Sequence, residues 1–251
     1  MTLKAEAPHT FGAADHGVNW AIAQLPGGKR AGRRIVARGV TVELAPMKGA
    51  KGEDDYAIHF DGKAAVRVQA NSATGTIFGL LRLGEMLRAG VRRNVTQHLR
   101  FRTRNYKHEI GLGASGKHNI LSYSDKTWET LCRQLVSHQF NGLVLYPGYH
   151  PFECILDYKG FPQAASQPAA HRTAVRKALN RGLAIAHRYG LKTFMQHYVN
   201  HFTQELADAY KIATTGRLSA VDHPVVERYC RYCYREIFKQ VPDLDGLYFN
   251  F

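Results

Sequence analysis

His197 and His201 stand four residues apart, a spacing that on a helix would put both imidazoles on one face as metal ligands. Between them lie Tyr198, Val199 and Asn200, without the glutamate of an HExxH motif, and LKTFMQHYV reads as a strand running into a loop. No metal site is expected there. Cys230 and Cys233 have the CxxC spacing of redox and half-zinc sites, but no second CxxC accompanies them. They fall inside a helical pattern, where positions i and i+3 share a face, and core packing is their expected role. His108 and Glu109 are neighbours, and Tyr146 and the pair Tyr149-His150 flank Pro147-Gly148. Such imidazoles, phenols and carboxylates can move protons or hydrogen-bond a ligand, or can be merely structural. Glu153 and Asp157 follow in what reads as a long loop, where solvated carboxylates are the usual outcome. The sequence has no P-loop, dinucleotide fingerprint or GxSxG elbow.

These residues need elements to position them. Hydrophobic residues make up 45% of the 251-residue chain and charged ones 22%, which excludes disorder, collagen and coiled coil. No run approaches the ~18 apolar residues of a membrane helix, so no membrane partner is expected. The N-terminus lacks the apolar stretch of a secretory signal, so the expectation is either a protein that stays inside the cell, with the cytoplasm as the default, or a sequence without its leader. The 34 basic and 20 acidic side chains give +14, but the excess is spread evenly. Residues 1–100 hold 15 basic and 8 acidic, residues 101–251 hold 19 and 12, and each part carries +7. No nucleic-acid stripe emerges, and attraction to anionic partners is the most this charge supports.

The first hundred residues read as strands followed by a helix. Residues 33–44 and 56–60 are short β-branched or aromatic runs, and Asp61-Gly62-Lys63 turns the latter into the alternating segment 65–70. Ile77, Leu80, Leu81, Gly84 and Leu87 then recur at helical spacing up to a Gly90 cap, with Gly75 and Gly79 suited to close packing. From residue 101 strands and helices alternate: strands over 102–110, 142–146, 191–199 and 246–251, and helices from Ser124 or Asp125, over 172–189, and from Pro224. That alternation implies a parallel sheet. An open four-stranded sheet fits the length. The final apolar strand, with no helix to cover it, favours the first half of a (β/α)8 barrel.

The segment YAIHFDGKAAVRVQANSATGTIFGLLRLGEMLRAG resembles the small α/β domain that precedes the barrel in family 20 β-hexosaminidases and α-glucuronidases. RFRTRNYKHE is similar to the first barrel strand of such enzymes, HQFNGLVLYPGYHPFECILDYKGFP to the second strand and its loop, GLKTFMQHYVNHFT to the third and LDGLYFNF to the fourth. The resemblance implies an α/β protein with an accessory domain over 1–100 (1–32 unassigned) and the first four strands of a barrel over 101–251. It implies a glycoside hydrolase without cofactor, acting on carbohydrate. Because relatives carry their general acid at or after the fourth strand's end, it also implies a truncated, inactive form whose acid pair lies beyond Phe251. Barrel sites sit at strand carboxyl ends, so the expected sugar contacts are His108, Glu109, Tyr146, Tyr149, His150, His197, Asn200 and His201. Arg104 or Lys107 could favour an acidic sugar. A half barrel would leave two open edges and invite self-association. The alternatives are a non-catalytic carbohydrate-binding protein and, less favoured, a basic nucleic-acid-binding protein.

Overall fold

The computed structural model describes residues 12–31, 34–62, 64–113, 118–148, 151–198, 202–213 and 222–250. The chain divides into two compact units, one of residues 1–104, 131–141 and 187–191, the other of residues 105–130, 142–186 and 192–251.

In the first unit, helix α1 (Asp15–Ala23) precedes strands β1 (Lys29–Ala31), β2 (Arg34–Ala37), β3 (Val40–Ala45), β4 (Tyr56–Asp61) and β5 (Ala65–Ala70). Helix α2 (Ala73–Arg88) and strand β6 (Val95–Gln97) follow. The strands form one sheet in the order β1-β2-β3-β5-β4-β6, antiparallel except for β3 with β5. The run 33–44 is not one strand. Arg38 and Gly39 both adopt positive φ, 41° and 79°, and turn it into a tight hairpin. The β4–β5 hairpin pairs Ile58 with Val68 and Phe60 with Val66, and Gly62 takes the left-handed turn at φ 70°.

Helix α2 starts where Ser72 Oγ accepts from Gly75 N at 2.9 Å. It ends at Gly90, φ 70°, with Val91 N donating to Met86 O at 2.9 Å. Ile77, Leu80 and Leu83 on it are fully buried. A Cβ at Gly79 would stand 2.7 Å from Val68 Cγ1, so glycine lets the helix lie directly on the sheet. Helix α1 escapes sequence reading because it is short, carries Gly17 in its first turn and has no long apolar stripe.

Glu53 is exposed, whereas the next two carboxylates, Asp54 and Asp55, are buried. Asp54 accepts from Ser72 Oγ (2.7 Å), Asn141 Nδ2 (2.6 Å), Arg104 Nη2 (2.9 Å) and Thr74 Oγ1. Burial alone would raise its pKa, and these hydrogen bonds bring it below the usual carboxylate value. Asp55, only 1% exposed, accepts from the backbone N of Lys51, Gly52 and Leu99, and its carboxylate lies 2.7 Å from His98 Nδ1. Here too burial opposes ionisation and the hydrogen bonds, that with His98 foremost, overcome it, holding the pKa at about 2.

The second unit's sheet consists of β7 (Asn105–Glu109), β8 (Gly142–Tyr146), β9 (Lys192–Tyr198) and β10 (Gly246–Asn250). All are parallel and neighbour one another in chain order. Helix α3 (Asp125–Ser137) connects β7 to β8; α4 (Pro151–Ile155) and α5 (Ala169–His187) connect β8 to β9; α6 (Gln204–Tyr210) and α7 (Pro224–Gln240) connect β9 to β10. Seven α-helices thus accompany two sheets among the described residues.

Local chemistry accounts for the boundaries. Ser124 Oγ accepts from Thr127 N at 3.1 Å ahead of α3. His223 Nδ1 accepts from Val225 N at 3.2 Å ahead of α7, whose first residue is Pro224. Asp245 Oδ2 accepts from Thr193 N at 2.7 Å, which sets β10 beside β9. Leu143 and Leu145 are wholly buried and Val144 is 4% exposed, as expected for a strand covered on both faces. On α7, Tyr229, Cys233 and Ile237 are buried, whereas Cys230 is only half-buried.

Candidate functional site

Successive side chains of a strand point to opposite faces, so the parallel register sorts the candidates. Glu109 pairs with Tyr146, and Gln196 with Tyr248. Since Leu145 pairs with Met195, Tyr146 and Gln196 are the next neighbours along those strands. Glu109, Tyr146, Gln196 and Tyr248 therefore form one row across all four strands, near their carboxyl ends. Lys107 shares this face, its Nζ 3.8 Å from the centroid of the Tyr146 ring. Glu109, Lys107 and Tyr248 are exposed and Tyr146 is half-buried.

His108 and His197 lie on the other face. His108 Nε2 is 3.1 Å from Tyr123 Oη, and its ring stacks on Tyr106 with centroids 6.2 Å apart. Burial, reinforced by the charge of His118, lowers its pKa and favours the neutral imidazole. His197 is 2% exposed and packed among Phe152, Tyr234 and Phe249, with ring centroids 4.4, 5.8 and 6.4 Å away. Sequence reasoning grouped the two histidines with Glu109 and Tyr146, but the structure brings only Glu109 and Tyr146 together. It missed Gln196, although the alternation around His197 carried the signal. Tyr149, His150, Asn200 and His201 lie outside the described residues.

The basic and acidic residues near these ends also resolve. Arg104 is committed to Asp54 and to the carbonyls of Gln139 (2.6 Å) and Phe101 (2.5 Å), so its guanidinium is occupied by its own unit. Glu153 belongs to α4 and accepts from Ser166 Oγ at 2.8 Å. Burial pushes its pKa up against that hydrogen bond, and the charge of Glu205 adds to the rise. Asp157 is solvated and 3.7 Å from Lys159 Nζ. Cys230 and Cys233 are free thiols, with burial raising the Cys230 pKa to about 11 and the Cys233 pKa further still. Among the described residues no three His, Cys, Asp or Glu side chains converge as a metal site, and no helix is long and apolar enough to cross a membrane.

Comparison with known proteins adds a fold-level finding. No protein-family model matches the chain, and no curated protein matches it by sequence. Solved structures do. A GH138 enzyme targeting pectin rhamnogalacturonan II superposes with a TM-score of 0.66 at 19% identity, over 83% of this chain and 26% of that one. The GH20 β-N-acetylhexosaminidase of Streptomyces coelicolor A3(2) gives 0.58 at 13% identity, over 93% and 51%. The GH20 exo-β-N-acetylglucosaminidase of Vibrio harveyi, solved with N-acetylglucosamine, gives 0.56 at 13%, over 93% and 41%. The chain therefore has a glycoside-hydrolase-like fold and spans between about a quarter and a half of the enzymes it matches.

Proposed function

We propose that this chain is the first part of a glycoside hydrolase. Residues 1–100 would be its accessory α/β domain and residues 101–251 the first four βα units of a (β/α)8 barrel, with hydrolysis of an O-glycosidic bond as the parent reaction. The observation that carries this reading is the second sheet: four parallel strands in chain order, every connection helical, with polar and aromatic side chains gathered at the carboxyl ends. Barrel enzymes keep their functional groups at that end.

Glycosidases place two carboxyl groups about the scissile bond, one protonated for the leaving oxygen. Glu109 is the one carboxylate within the row among the described residues. Alone it suffices for hydrogen bonding to hydroxyls but not for acid–base hydrolysis, so the chain as it stands binds sugar without turning it over. We assign sugar contact to Glu109 and Tyr146, with Tyr149, His150, Asn200 and His201 as loop candidates. His108 and His197 support the sheet from behind.

Saturation-transfer NMR against a panel of monosaccharides, alongside a 4-nitrophenyl glycoside panel, tests this. Binding without release of nitrophenol is expected. No sugar binding at all would sink the reading, and turnover by this chain would overturn the claim that its catalytic set is incomplete. Sugar affinity should be nearly salt-independent. Preferential binding of nucleic acid that collapses between about 50 and 200 mM salt would select the basic nucleic-acid reading instead.

A further inference from the structure

The Gln196 side chain sits in an unusual position for a structural amide. The residue is only 6% exposed, yet its amide is not one of the buried polar atoms left without a partner among the described residues, and no hydrogen bond to another described side chain fixes it. It occupies the middle of the row, between Tyr146 and Tyr248, on the face opposite the packed ring of His197. A primary amide offers one acceptor and two donors on one planar group, which matches two neighbouring hydroxyls of a pyranose. The flanking phenol rings offer flat apolar faces for its C–H surface.

Resting on the glycosidase reading above, we propose that Gln196 is the specificity-determining contact of the sugar site, and that the row Glu109, Tyr146, Gln196 and Tyr248 selects a neutral pyranose with adjacent hydroxyls. Charge argues for neutral over acidic sugar. Glu109 holds one end of the row, and a uronate carboxylate placed against it would meet like charge. The Lys107 ammonium is drawn over the Tyr146 ring and is not aimed along the row.

The test is isothermal titration of the whole chain with methyl β-D-glucopyranoside, its galacto and manno epimers, and methyl β-D-glucuronide. The near-isosteric Gln196→Met should weaken binding of the preferred neutral epimer by about tenfold or more and flatten the preference among epimers, with an unchanged melting temperature. Retained affinity and epimer preference in that variant would overturn the assignment while leaving the glycosidase reading intact. Absence of any binding by the unaltered chain would overturn both. Tighter binding of the glucuronide than of any neutral glycoside would overturn the choice of neutral sugar. Should Gln196→Met not fold, Tyr248→Ala decides at an exposed position of the same row: a similar loss supports the assignment, and full affinity refutes it.

Discussion

Two carboxyl groups with opposite environments give the protein opposite pH responses. Asp55 is buried but over-supplied with donors, so its folded pKa of about 2 lies below the ordinary 3.8. Its stabilising contribution is complete above about pH 4 and is lost as pH falls toward 2. The shift corresponds to about 2 kcal/mol. Asp55→Asn should therefore lower stability near neutrality by roughly that amount and flatten the acid limb below about pH 4, as read by urea unfolding across pH. Glu153 is the reverse case. Burial raises its pKa above 4.5, so the folded state holds the proton more tightly and stability declines as pH rises from about 4.5 through the folded value. Glu153→Gln should remove that decline, and an unaltered slope in the same experiment would show that the carboxyl is solvated.

Helix packing in the second unit depends on one missing side chain. Gly182 lies within α5, a place where glycine costs about 1 kcal/mol against alanine by propensity alone. A Cβ there would run into the indole of Trp128, itself fully buried on α3. The steric cost of overfilling a packed contact is roughly 1–3 kcal/mol and exceeds the gain in propensity. Gly182→Ala should thus destabilise the protein despite its better helix former, visible as a lower urea midpoint. A raised midpoint would mean the Trp128 ring shifts freely. Gly79 against Val68 shows the same device between α2 and the first sheet.

On the scale of the whole molecule, the outer strands of the second sheet are β7 and β10. Tyr248 and Phe249 on β10 are 54% and 41% exposed. Strand edges with exposed aromatics pair readily with other chains, while a net charge of +14 opposes association through repulsion that salt screens. Sedimentation mass should therefore rise with protein concentration and rise further with salt, and Tyr248→Lys should reduce it. A monomer at every concentration and salt level would show that both edges are protected.

Much of this architecture was readable locally. Turn residues at 61–63, the cap at Ser72, the helical stripes of α2, α3, α5 and α7, and the apolar strand 142–146 are decided by side chains within a few positions of one another, so sequence alone determined those elements and the alternation that yields a parallel sheet. The hairpin at Arg38-Gly39, the short α1, α4 and α6, and the three-residue β6 have too few residues for a periodic signal. The ionised pair Asp54 and Asp55 required partners up to 87 positions away, as with Asn141. The candidate site shows the same division. Alternation already requires Gln196 and His197 to face opposite ways, but nothing within the strand says which face the helices cover. Only the tertiary packing of Phe152 and Tyr234 against His197 settled that, burying the histidine and leaving the glutamine in the row with the two tyrosines.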